Sequence, residues 1–332
     1  MITQDARYCR EVLPRVSRTF AINIRLLAGP MGEAVRVGYL LCRAADTLED
    51  SWPGEGLEGR FAVFLSALDG DRDAAQRLAD DASRVGHGAD LDLVANLPRV
   101  LNVFASLQAP LRDPVREGVR TLAAGMSRYG ARAARRGAGT PYLDDAHELD
   151  DYCWVVAGCV GVMLTRLHAA AYQAPDDSAQ ARRLELAPVV GRALQLTNIL
   201  LDWPSDVRRG RCYLPAAWLS ELGLRPEQLV DREHAGVRAL ADRLEARAFE
   251  ALSRVPDYLD LIPTHHLRYR LFCLWPAVWA VRSLRRARRD PQFPWGPRRP
   301  KLPRLEIYQS SLGSLLTADH GGALRRLCSA AR

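Results

Sequence analysis

Helical periodicity runs through nearly all of this chain. Apolar residues recur at three- and four-residue spacing in segment after segment, and alternating strand-like runs with hairpin signals are absent. The pattern predicts helices through Phe20 to Leu27 and roughly Ala34 to Glu49, then near 58–69, 72–84, 89–107, 111–136, 142–173, 178–202, 227–254, 264–289 and 304–329. Gly29-Pro30, Trp52 to Gly56 and Gly137 to Pro141 break it, and Pro215 to Pro226 reads as a connection with a short helix. The stretch Asp290 to Pro303 holds five prolines and is expected to be an extended or mobile loop. No internal repeat, heptad seam or low-complexity linker divides the chain. Residues 1–332 are therefore expected to form one all-α domain, with helices around a central hydrophobic cavity.

The formal charge is +7 and the pI about 9.2. Lys301 is the only lysine; every other basic residue is an arginine. The arginines are spread over most segments, which argues against a nucleic-acid-binding arm, and are densest from Arg282 to Arg304. Seven cysteines occur without a CxxC pair, mostly in apolar runs, as expected of buried free thiols in a reducing compartment. The seven histidines show no metal-ligand pattern. The N-terminus lacks a signal peptide, and the longest unbroken apolar run, Val155 to Leu164, is too short to span a bilayer. A soluble, cytoplasmic protein is expected, with room for peripheral contact at the inner membrane surface for product release. Oligomeric state is left open.

Two acidic clusters stand out. Asp46-Thr47-Leu48-Glu49-Asp50 and Asp202-Trp203-Pro204-Ser205-Asp206 each place two aspartates four residues apart, on one face of a helix. Tyr39, Arg43, Asp46 and Asp50 share a face, and so do Gln195, Asn198, Asp202 and Asp206. Mg²⁺ takes oxygen ligands and bridges one or two carboxylates to a substrate phosphate. An adjacent arginine can grip phosphate oxygens in a bidentate fork. Two such pairs facing each other would bind a diphosphate and favour its ionisation. An acidic cluster at a helix end is also a common solvated face, so neither pair carries this alone. Pro204 removes a backbone donor. Either the helix ends or kinks there, or the two aspartates lie out of strict i, i+4 register. Arg211 follows Gly210, where the chain can turn it back toward the aspartates.

Five ordered motifs resemble the squalene and phytoene synthases, the head-to-head prenyl synthases. They are Ser17-Arg18-Thr19-Phe20-Ala21, Asp46 to Asp50, Tyr152 to Gly161 (Y-C-W-V-V-A-G-C-V-G), Gln195 to Pro215, and Phe272-Cys273-Leu274-Trp275-Pro276. The first acidic motif and the F-C-x-x-P element are similar to the squalene branch, and the polar C-terminus resembles a bacterial soluble form. The resemblance covers nearly the whole chain. It implies an isoprenoid synthase fold and Mg²⁺-dependent joining of two farnesyl diphosphates through presqualene diphosphate to squalene, with hydride from NADPH.

By the same resemblance, Asp46, Asp50, Asp202 and Asp206 would hold Mg²⁺, and Ser17, Arg18, Arg43 and Arg211 would bind diphosphate. Gln195 and Asn198, which complete the polar stripe, would also bind substrate. Tyr152 and Tyr39 would face the cation, and Phe20 and Phe272 would line a water-free cavity. Arg299 to Arg304 is similar to a family segment that helps bind NADPH, which points to Lys301, with Arg43, as cofactor contacts. Three positions depart from the family. Leu201 stands where a basic residue is common, with Arg208 or Arg209 as substitutes; Ala277 stands where glutamine is frequent; Trp154 is bulky. The alternatives are a presqualene diphosphate, hydroxysqualene or dehydrosqualene/phytoene synthase without reduction, or a non-catalytic assembly protein.

Overall fold

The computed structural model describes residues 3–52, 55–172, 177–297, 299–315, 317 and 319–330; the side chains of Arg18 and Asp177 lie outside that description. Every regular element among these residues is a helix. The one extended pairing is an isolated parallel bridge between Pro141 and Cys212. The all-α fold class is therefore as expected. The residues group into two compact units, 1–131 with 162–177, and 132–161 with 178–332.

The first unit opens with α1 (Gln4–Val16), capped by Thr3, and α2 (Arg18–Ile24), capped by Ser17. Then comes α3 (Gly29–Asp50), which starts five residues earlier than the expected Ala34. Gly29-Pro30 opens this helix rather than only separating it from α2, because a proline in the first turn forfeits no intrahelical donor. Leu40, Leu41, Ala44, Ala45 and Leu48 of α3 are fully buried at helical spacing. That leaves Tyr39, Arg43, Asp46 and Asp50 on the less buried face. α4 (Leu57–Leu68) and α5 (Arg72–Val85) follow, the latter capped by the Asp71 carboxylate. The helix expected over 89–107 is split into α6 (Ala89–Ala95) and α7 (Leu97–Ser106). The Asn96 amide captures the Asp92 carbonyl at 2.9 Å, and Pro98 cannot donate backward, so the ladder breaks there. α8 (Ala109–Arg136) completes the series.

In the second unit, α9 (Ala146–Cys153) runs through a π-helical turn, Trp154–Gly158, into α10 (Cys159–Tyr172), whose later residues belong to the first unit. α11 (Asp177–Arg208) packs against this turn at Gly191. A Cβ there would meet the Ala157 carbonyl carbon at 2.6 Å and the Gly158 Cα at 2.8 Å, so only glycine permits the approach. α11 does not stop near 202 but continues unbroken through Pro204 to Arg208. The lost hydrogen bond is outweighed by anchoring on either side: Trp203 is buried, and its indole donates to the Leu229 carbonyl at 3.0 Å. Asp202 and Asp206 are therefore in helical i, i+4 register.

α12 (Ala216–Glu221), α13 (Ala235–Leu252), α14 (Val255–Asp260), α15 (Leu267–Arg289), α16 (Arg304–Leu315) and α17 (His320–Ser329) follow. α15 packs on α13, α14, α16 and α17. The helix expected over 304–329 is thus two helices. The described residues of 290–303 carry no helix, and Phe293 and Trp295 among them are buried. All seven cysteines are free, five of them buried. Averaged over a window rather than counted as unbroken runs, residues 146–172 and 178–208 are long and apolar enough to cross a bilayer, with 44% and 50% of those windows buried.

Candidate active site

In the first unit a polar strip runs along α3 and the start of α2. The Ser17 hydroxyl accepts from the Phe20 amide at 3.3 Å, which fixes where α2 begins. The Phe20 ring stacks on Tyr39, centroids 5.7 Å apart at 30°. Burial pushes the Tyr39 phenol up to about 12, against a hydrogen bond with Ser17 and the Arg43 charge, so it stays protonated at neutral pH. One turn on, Arg43 lies 3.6 Å from Asp46. Its guanidinium also forks onto Asp90, with Nε and Nη2 at 3.1 and 2.8 Å from the two carboxylate oxygens.

The Asp46 carboxyl is pushed up to about 7, first by burial and then by the Asp50 charge, with Arg43 opposing. The Asp50 charge favours a proton on Asp46, and a cation between the two carboxylates would relieve the same repulsion. Ser17, Phe20, Tyr39, Arg43, Asp46 and Asp50 are thus brought together in one unit. The Arg18 side chain lies outside the described residues.

In the second unit, Asp202 and Asp206 end α11. Burial, then the Asp202 charge, pushes the Asp206 carboxyl up to about 6, against Arg209 and Arg211. Arg209 sits 2.6 Å from Asp206. Arg208 turns away instead, to Asp231 and to the carbonyls of Trp295 and Gly296. Gly210 has φ +75°, and a Cβ on it would meet Ala138 Cβ at 3.1 Å. The turn it makes lets the Arg211 amide donate to the Asp206 carbonyl at 2.8 Å.

The same turn lays residues 210–212 beside 139–142 and delivers Tyr213. Tyr213 stacks on Tyr152 (5.2 Å, 27°) and meets Tyr142 edge-on (5.1 Å, 78°). Tyr152 lies just before the π turn, where such turns often mark functional positions. Gln195 is half-buried and Asn198 exposed, two turns and one turn before Asp202 respectively. Phe272 is buried in α15 and stacks on Tyr269 (6.1 Å, 17°). Lys301 is exposed.

Sequence reasoning missed Asp90, Arg299, Tyr142 and Tyr213 as site residues. Arg299 Nη1 lies 2.7 Å from Asp202 Oδ1. Tyr213 was findable, since it sits in the same motif as Gly210 and Arg211; nothing near Asp90 in the chain marks it.

Among the described residues no group of three or more His, Cys, Asp or Glu side chains could cage a metal by itself. Paired carboxylates without further protein ligands fit Mg²⁺, which fills its remaining positions with water and substrate phosphate. They do not fit zinc, which takes nitrogen or sulfur ligands in closed sites.

A sequence model described as squalene/phytoene synthase matches residues 13–306. Botryococcus squalene synthase from Botryococcus braunii is 27% identical over 285 residues, covering 83% of this chain and 57% of that protein. The Homo sapiens squalene synthase is 27% identical over 297 residues, covering 85% and 64%. The chain therefore spans less than two-thirds of the length of either relative. Among solved structures, TcSQS in complex with a ligand superposes with a TM-score of 0.76 at 23% identity, over 99% of each chain.

Proposed function

Because this chain belongs to the squalene/phytoene synthase family, we propose that it is a Mg²⁺-dependent prenyltransferase of the squalene synthase type, joining two farnesyl diphosphates. The observation that carries the reading is the two carboxylate pairs at helical i, i+4 spacing, each with an arginine at hand, Arg43 3.6 Å from Asp46 and Arg209 2.6 Å from Asp206. Bound Mg²⁺ would neutralise the leaving diphosphate. Asp46 and Asp50, and Asp202 and Asp206, are the residues that would hold it.

The remaining chemistry falls to this chain's own side chains. Arg43 and Arg211 grip diphosphate oxygens, with Asp90 holding the Arg43 fork in orientation. Heterolysis of the C1–O bond leaves an allylic cation on one farnesyl chain. The second chain's double bond attacks it, and loss of a proton closes the cyclopropane of presqualene diphosphate. Tyr39 and Tyr152 offer ring faces to the cation. Tyr39, protonated across the neutral range, acts through its ring and its O–H donor rather than as a base. Phe20 and Phe272 exclude water from the cation. Departure of the second diphosphate and hydride from NADPH complete squalene. Lys301 is the proposed contact for the nucleotide's phosphates; it is exposed and makes no ion pair among the described residues, so it is available to an anion.

The test is direct. Purified protein is incubated with farnesyl diphosphate and Mg²⁺, with and without NADPH, and the lipids are identified. Squalene formed only with NADPH supports the proposal. Presqualene diphosphate, hydroxysqualene or dehydrosqualene in both tubes moves the assignment to a non-reducing synthase. No turnover of any prenyl diphosphate overturns the enzyme assignment and leaves a binding protein.

A further inference from the structure

Helix α16 is built inside out. Three of its polar side chains point into the second unit, while Gln309 stays exposed: Glu306 pairs with Arg282 at 3.1 Å, Ser311 is buried, and the Ser314 hydroxyl accepts from the Trp275 indole at 2.8 Å. The His320 ring meets the Ser314 carbonyl at 3.1 Å. Its large apolar side chains point outward, with Leu305 66%, Tyr308 55%, Leu312 63% and Leu315 47% exposed. At about 100° per residue these four fall within a stripe roughly 80° wide, with Arg304 beside its edge. A helix on an ordinary solvated surface shows the opposite arrangement.

Charge selects the occupant. Between 299 and 315 the single carboxylate is Glu306, and it is turned inward. Arg304 and Lys301 are exposed and make no ion pair among the described residues. An apolar helix stripe bordered by exposed cations, with no outward carboxylate between 299 and 315, matches an anionic bilayer surface. A second copy fits poorly: a parallel two-fold contact through this stripe would set Arg304 and Lys301 of both copies against each other, and an antiparallel one offers them no carboxylate from 299–315, since Glu306 is turned inward.

We propose that α16 seats this protein on anionic lipid through Leu305, Tyr308, Leu312 and Leu315, with Arg304 and Lys301 among the headgroups. Exposure and charge carry this seating, whichever product the site makes. Lys301 is also the proposed NADPH contact, so the test leaves it untouched.

The full chain is sedimented with vesicles of phosphatidylcholine alone and of phosphatidylcholine with phosphatidylglycerol. Partition into the anionic vesicles should exceed that into neutral ones by roughly tenfold. Leu305→Asn together with Leu312→Asn should lower it by about tenfold or more, with the circular dichroism spectrum unchanged. Arg304→Glu, a second variant at an exposed position, should remove the preference for the anionic lipid. Absence of vesicle binding by the parent protein overturns the proposal, and so does parental partition of the double variant. A dimer in analytical ultracentrifugation that the double variant dissociates, without vesicle binding, reassigns the face to a contact between copies.

Discussion

Arg299 holds Asp202 across 2.7 Å, so the proline-rich segment 290–303 is tied by a guanidinium to the second carboxylate pair. The same segment is gripped further back, where Arg208 donates to the carbonyls of Trp295 and Gly296. A cation on Asp202 must displace Arg299 or share the carboxylate with it.

Arg299→Gln should therefore tighten Mg²⁺ binding. The pair is about one-third exposed, so solvent screening limits it to roughly 0.2–1 kcal/mol, equivalent to about a 1.4- to fivefold lower half-saturating Mg²⁺ concentration. Calorimetric titration of the two proteins with MgCl₂ checks it; unchanged or weaker binding in the variant refutes the competition.

Asp50→Asn and Asp206→Asn should each cut turnover by on the order of a hundredfold or more, because transition-state charge on the leaving diphosphate would lose its counter-ion. Thermal melts should show both variants folded. Near-parental turnover in both would remove the metal assignment.

The raised carboxyls set a pH dependence for the metal-free protein. Asp46 and Asp206 move from 3.8 up to about 7 and about 6. Each folded value lies above its unfolded one, so their contribution to stability is full below about pH 4 and is lost as pH rises toward 7. In EDTA, this contribution to the melting temperature should fall between pH 5 and 8, and Mg²⁺ should raise the melting temperature more at pH 8 than at pH 5. Equal Mg²⁺ shifts at both pH values would show that the carboxylates are not the linked groups.

Asp90→Asn should leave Arg43 charged but without its fork. The expected result is about a tenfold loss of kcat/KM for farnesyl diphosphate, with a larger change in KM than in kcat if Arg43 serves mainly to bind substrate. Unchanged steady-state constants would make Asp90 a purely structural partner.

The helices were legible wherever one apolar face had to be buried, as in α3, whose inward residues keep closely to the period. Boundaries failed where local chemistry and distant packing disagreed. Pro204 argued for a stop, but Trp203 is fastened to Leu229, far along the chain, and that contact is invisible to a local pattern. Asn96 and Pro98 broke a helix whose periodicity continues through them. The aspartate pairs, Arg43 and Tyr152 were readable because helical spacing and motif order mark them. Asp90 was not, because it reaches Arg43 from 47 residues away through the packing of α6 on α3. Arg299 was hidden similarly, in a segment whose prolines say only that it is not a helix.

The π turn at Trp154–Gly158 has a consequence for the history of this chain. One surplus residue is stored there, inside an otherwise continuous helix, and it rotates the downstream residues by about 100° relative to Tyr152. A single-codon deletion in that turn would restore an ordinary helix and swing Gly158 and Gly161 away from α11 while Tyr152 kept its place. The same deletion in α11 upstream of Asp202 would instead turn Asp202 and Asp206 together by about 100° off their present face. The turn is thus a place where this scaffold could gain or lose a residue and reposition Gly158 and Gly161 while the register of Asp202 and Asp206 stays unchanged.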